Sequence, residues 1–193
     1  MAAALAADLG VLAGLGPVMR MDQPEALRLA AEAFDLWQSG RLPEADTRYR
    51  EALALVDPRH YRTPDIHGEY AGLLTRMRRL SEAGQHRETA LKLELQNEPN
   101  EASPAVLTAR YFLGEHYLAM GEPDSARRVV APSLVAAQKP LAWLVEAEAL
   151  SLAGAVAEAR VAAERAVSFA ASAEQRERIR SRLAELLQGS GAG

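Results

Sequence analysis

Apolar side chains recur at i, i+3, i+4 and i+7 along most of the chain, the spacing that gathers them on one face of an α-helix. The pattern predicts helices over about 23–39, 42–56, 64–83, 86–97, 103–120, 123–137, 140–153, 156–171 and 173–188. Glycines at 40, 84, 121 and 154 each follow one such stretch and precede another, at spacings of 44, 37 and 33 residues, which is a repeat. A glycine just past a helix end adopts the left-handed conformation without a side-chain penalty, and Pro43 and Pro123 sit where a helix start tolerates a missing N–H. Further starts are marked by Asp22, Thr63-Pro64, Ser103-Pro104 and Pro140. Ser172-Ala173-Glu174-Gln175 has the form of a capping box. Pro132 falls inside one stretch and predicts a kink or an early end there. Small residues recur where paired helices would cross: Ala33 with Ala45 and Ala52, Gly114 with Ala126, and Ala147 with Ala159 and Ala166. The elements add up to four helical hairpins and a C-terminal capping helix over 22–188, with an apolar extension at 1–21 and a Gly-rich flexible tail at 189–193.

Several of these positions fall into a recognisable order. Leu113-Gly114-x-x-Tyr117 is followed by Gly121 and Ala126. Ala33-x-x-Leu36 is followed by Gly40, Ala45, Tyr49, Ala52 and Pro58. Trp143, Ala147, Leu150, Gly154, Ala159 and Ala166 repeat the order again, with Glu146 where a Leu is usual, while the unit around Leu80, Gly84 and Ala90 is degenerate. The pattern resembles the tetratricopeptide repeat (TPR), whose unit of about 34 residues carries Trp, Leu, Gly and Tyr on its first helix and Ala, an aromatic, Ala and Pro on its second. The likeness covers about 26–171. It implies an all-α, right-handed superhelix whose first helices line a concave groove. Trp143 and Tyr117 match the motif's own packing positions, so a core role is expected of them. On the groove face the resemblance places Phe34, Trp37 and Gln38 from the first unit, and Leu74, Arg78 and Ser81 from the second. Thr108, Tyr111 and Glu115 follow from the third, and Leu144, Glu148 and Ser151 from the fourth. The groove lacks the Lys and Asn set with which some TPR proteins clamp a C-terminal carboxylate. Its mixed charge beside Phe34 and Trp37 suits a protein partner, bound as a helix or extended segment with apolar anchors.

Composition narrows the function classes. Thirty-nine Ala and 27 Leu against 18 Ile, Val and Thr together leave little material for a sheet. Without cysteine there is no disulfide, thiol nucleophile or thiolate metal site. A net charge of −4 gives no general attraction to nucleic acid or anionic membrane. No Lys or Arg precedes Arg20 and Asp8 interrupts the apolar start, so a signal peptide is not expected and a cytoplasmic protein is. Twenty Arg against two Lys suggest a GC-rich bacterial source. Chemistry could be sought only at 57–69, where His60 and His67 stand among Asp57, Asp65 and Glu69, but a separation of seven residues across a Pro turn is no recognised ligand spacing. A solvated inter-repeat loop is expected there, with His86 and His116 at the surface or capping. Arg76, Arg78, Arg79 and Arg87, and Arg176, Arg178, Arg180 and Arg182, form two basic clusters; in the second the interleaved Glu174, Glu177 and Glu185 favour a salt-bridged solvated face over phosphate binding. The expectation is a non-catalytic adaptor with no cofactor and no metal. Its rivals are a small acidic TPR-type chaperone or assembly subunit of a bacterial complex, a structural oligomer joined through Leu5, Leu9 and Leu12, and a helical-repeat hydrolase or metal protein using the 57–69 loop.

Overall fold

A computed structural model describes residues 21–136, 139–184 and 186; the expectations for the extension before Met21 and for the C-terminal tail lie outside these residues. Among the described residues every regular element is a helix: α1 (Gln23–Gln38), α2 (Leu42–Leu53), α3 (Thr63–Arg76), α4 (Leu80–Asn97), α5 (Pro104–Ala119), α6 (Pro123–Ala136), α7 (Pro140–Leu152), α8 (Val156–Ser168) and α9 (Ala173–Arg182). Three starts are capped by the side chains expected. Asp22 accepts from the Glu25 N–H at 3.3 Å, Ser103 from Val106 at 3.3 Å and Ser172 from Gln175 at 3.0 Å. The Gln175 side chain accepts from Ala171 rather than from the cap itself, one residue off the usual box.

All four hairpin turns end their first helix with the same pair of backbone bonds. Gly40 donates to Trp37 and Arg41 to Leu36, and the pairs at 121/122 and 154/155 repeat this. In the second hairpin the pair is made by Arg78 to Thr75 and Arg79 to Leu74, with Arg78 itself at φ 62°. The expected turn at Gly84 is therefore displaced: α3 ends at Arg76, and Gly84 is buried inside α4. Its lack of a side chain serves packing instead, because a Cβ there would lie 2.5 Å from His116 Nε2 on α5. Pro132 does not end α6, which runs on to Ala136. Val130 and Ser133 are buried on either side of the proline, so packing holds the last turn in place.

Packing follows the small-residue pattern. Ala33, Ala45, Ala52, Ala126, Ala147, Ala159 and Ala166 are fully buried. A Cβ on Gly114 would lie 2.9 Å from Val145 Cγ1 and 3.0 Å from Val130 Cγ1, so α5 closes on α6 and α7 at once. Glu146, where the repeat usually has Leu, is buried and holds Arg127 of α6 at 3.0 Å.

Each odd-numbered helix pairs with the next even one, and each hairpin stacks on its neighbour through α2 and α3, α4 and α5, and α6 and α7. Odd helices also touch one another, α1 with α3 and α5 with α7, whereas no comparable contact joins the even ones. The layer in mutual contact is the shorter one, so the stack curves with the odd helices inside. One step departs from this. The helices α3 and α5 make no comparable contact, and α4 shows through between them.

Candidate partner-binding cleft

The gap between α3 and α5 is a cavity of about 530 Å³, within the roughly 300–1,000 Å³ range of ligand sites. Its floor is one face of α4, Arg87, Ala90 and Glu94, spaced three and four residues apart as a helix face requires. Gly68 and Gly72 line the α3 wall, and Ala105, Thr108, Ala109 and Phe112 the α5 wall. Trp37 closes the end toward α1. It can lie there because Gly72 has no side chain: a Cβ would stand 2.7 Å from Trp37 Cη2. Phe34 packs edge-on against Trp37, ring centroids 5.9 Å apart, and lines a smaller depression of about 220 Å³ between α1 and α3. Asp65 and Glu69 border both.

Phe112 is 49% exposed, so the cleft offers apolar surface to solvent. Around it the charges are unequal. Burial raises the Glu94 carboxyl above its usual range, with Asp65 and Glu98 adding to the shift, and burial likewise raises Glu69. Arg87 lies at the other end of the floor, where burial lowers its pKa. It donates to the Phe112 carbonyl at 2.6 Å and to Thr75 Oγ1 at 3.4 Å, spanning from α4 to both walls.

Beyond α5 the inner face is crossed by an ion-pair clip, beside a depression of about 470 Å³ that Glu148, Ser151 and Arg182 line. Arg182, from α9, holds Glu115 of α5 at 2.7 Å and Glu148 of α7 at 2.5 Å. Burial opposes the Arg182 charge, but the hydrogen bonds from Glu148 and Glu115 outweigh it and its pKa rises. Tyr111 is half-buried and lies beside this clip rather than in the cleft.

The twelve residues expected on the groove face thus divide. Trp37 and Thr108 line the cleft, and Phe34 and Gln38 lie exposed beside it on α1. Glu115 and Glu148 are held by Arg182, with Ser151 and Tyr111 near them. Leu74 and Leu144 are corrections: both are core residues, 0% and 3% exposed, and present nothing to a partner. Arg78 sits in the α3–α4 turn and Ser81 on the second helix of its hairpin, both misplaced by the six-residue shift of that turn from 84 to 78. Phe112 and Glu94 were missed, and Arg87 stood out only as a member of a basic cluster, not as a groove residue. Phe112 directly follows Tyr111 and needed only a small change of helical phase; Arg87 and Glu94 belong to a second helix, which shows on the inner face only because α3 and α5 part.

Among the described residues the 57–69 segment gathers no set of three metal-ligating side chains. His60 stays in the turn, where its Nδ1 accepts from the Arg62 N–H at 3.2 Å, and His67 lies in α3 with Nδ1 2.8 Å from His86 Nδ1. Burial first, then His86, lowers His67 to about 4. His86 and His116, expected at the surface, are corrections: the first is half-buried against His67 and Tyr70, the second buried against Gly84. Trp143 and Tyr117 pack against core clusters, as the motif positions implied. Arg79 pairs with Asp46 and Glu82, and Arg178 with Glu174, so neither basic cluster survives as a unit.

No protein-family model matches the sequence, and no curated protein matches it. Solved structures do. BtubC (BKLC) from P. vanneervenii superposes with a TM-score of 0.67 at 19% identity, over 82% of this chain and 64% of that one. A putative kinesin light chain of nearly identical TPR-like repeats from Podosopora anserina gives 0.71 at 20% identity, over 88% of each chain. This is the tetratricopeptide-repeat fold. PilF of Pseudomonas aeruginosa shares it, with a TM-score of 0.60 at 22% identity over 86% of this chain and 79% of that one. The present TPR stack spans less than two thirds of the BtubC chain. Among its described residues no helix is long and apolar enough to cross a membrane.

Proposed function

We propose that this chain is a non-catalytic protein-interaction scaffold that docks a segment of a partner protein in the cleft between α3 and α5. The observation that carries this reading is the parting of those two helices: a preformed, largely apolar cavity opens on the inner face, floored by α4, while the Arg182 clip takes up Glu115 and Glu148 further along that face. Trp37 and Phe112 are anchors of the type that dominates protein recognition. Their walls are held by packed helices, so docking costs the scaffold little ordering entropy.

The reading is tested by filling the cleft. Thr108 is exposed on the α5 wall, and Thr108→Trp adds bulk there without entering the core. The tagged chain and the variant are used side by side to capture partners from the source lysate. A partner held by the first and lost by the second, with the melting temperature unchanged, supports the reading; equal capture contradicts it.

A further inference from the structure

Arg87 is a half-buried cation that lies 5.6 Å from the Phe112 ring centroid and feels Glu115 only at longer range than a salt bridge. Arg48, Arg79, Arg110, Arg127 and Arg182, also partly or wholly buried, each hold a carboxylate. Arg87 has none within salt-bridge reach among the described residues; it spends two N–H groups on Phe112 and Thr75, and its Nε is enclosed with no acceptor. A guanidinium partly removed from water without a salt-bridged carboxylate is costly, and Arg87 lines the cavity.

The opposite end of the floor has the opposite character. Glu94 is seven residues further along the same face of α4, about 10 Å away at the helical rise of 1.5 Å per residue. Glu69 joins it from α3, accepting from the Tyr49 hydroxyl at 3.3 Å, while Asp65 beside them is held by Arg62 at 3.6 Å. Ala90 lies between the two ends, while Phe112, whose ring centroid is 5.6 Å from the Arg87 guanidinium, and Trp37, packed on Gly72, stand toward the Arg87 end. The cleft therefore presents a cation beside aromatic surface at one end and anions at the other, over about 10 Å.

On the strength of the docking reading above, we infer that the occupant is an extended peptide segment carrying a carboxylate side chain for Arg87, a large apolar side chain for Trp37 and Phe112, and a basic side chain for Glu94 and Glu69. In polyproline II conformation a chain rises about 3.1 Å per residue and returns to the same side every third residue, so an acid at i and a base at i+3 stand about 9 Å apart. A helix covers the same span of about 10 Å only with acid and base about seven residues apart, so the spacing of the pair separates the two conformations.

A phage-displayed library of random peptides, panned on the full chain, provides the probe. Enriched peptides are synthesised and their affinities measured by fluorescence anisotropy. The expected motif is Asp or Glu, a large apolar residue within the next two positions, and Lys or Arg three residues after the acid. Arg87→Gln should weaken binding by about tenfold or more, as loss of a charge-assisted contact does. Changing the peptide's acid to its amide should cost as much on the wild-type chain and nothing further on Arg87→Gln. If that variant misfolds, the peptide amide and Glu94→Gln carry the test: Glu94→Gln should abolish the preference for the peptide's base. Three results overturn the inference and leave the docking reading standing: cleft-bound peptides without the charge pair, a pair seven residues apart, or affinity indifferent to Arg87. Peptides indifferent to Thr108→Trp, or no peptides at all, contradict both. Binding only after removal of residues 1–20, or only to a monomer separated from a dimer, would assign the cleft to the chain's own segment or to a second copy, and also overturns it.

Discussion

Arg78 shows what a single backbone position costs. At φ 62° it does the work that Gly40, Gly121 and Gly154 do at the other three turns, and a residue with a Cβ in that region is strained by roughly 1 kcal/mol relative to glycine. Arg78→Gly should therefore raise the unfolding free energy by up to about 1 kcal/mol in urea titration, less the greater chain entropy of an unfolded glycine. The same residue explains why the second hairpin was misread. The turn rule is a glycine rule, and the nearest glycine, Gly84, was recruited by a different demand, the close approach of His116. Glu146 is a second such case. Its burial against Arg127 replaces a Leu of the repeat by an ion pair, which predicts an asymmetry between the two partners. Arg127→Ala should cost about 1–3 kcal/mol, because it strands a buried carboxylate. Glu146→Leu should be neutral within about 1 kcal/mol or stabilising, as replacing a buried pair by apolar packing often is. Chemical unfolding of the two variants decides it.

At the scale of elements, the helices, three of the four turns and the alanine-lined crossings were legible because each rests on local chemistry: a cap, a left-handed glycine, a small side chain at a fixed interval. What was not legible is where two helices fail to meet. The parting of α3 and α5 is a difference between interhelical contacts, and no residue spacing within one helix encodes it; hence the place of Arg87 and Glu94 on the inner face was not legible while that of Trp37 and Thr108 was. Histidines behave likewise. His67 and His86 come from different helices, and the pair forms only when α3 and α4 pack. Both are held below the ordinary histidine range, chiefly by burial, His67 to about 4. The unfolded chain then binds more protons than the folded one as pH falls from about 6.5 towards 4, so the pair's contribution lowers stability across that window and is flat above it. Glu69 and Glu94, whose pKa values are raised, act in the opposite direction near the lower end. The difference between the wild-type chain and His67→Gln isolates the pair: unfolding free energies measured from pH 7.5 to 4 should fall more steeply for the wild type. Parallel curves would mean that the two rings stay accessible to protons.

At the scale of the whole molecule, curvature and closure divide the inner face into two parts. Stacking the hairpins buries apolar stripes that no single pair could bury alone, and contact among the odd helices sets the concave side. The capping helix then does more than cover the last hairpin. Ile179 and Leu183 join the core of α7 and α8, while Arg182 reaches across to Glu115 on α5 and takes up the two carboxylates that the sequence offered to a partner. The α3–α5 cleft and its neighbouring depression at Phe34 stay clear of this clip. The most direct measurement is photo-crosslinking in a lysate or with a recovered partner, from a benzoylphenylalanine placed at Thr108 in the cleft or, as a comparison, at Val161, exposed on α8. A discrete partner adduct from position 108 and none from 161 is the expected result. Adducts from 161 alone would contradict the assignment of the cleft as the docking face.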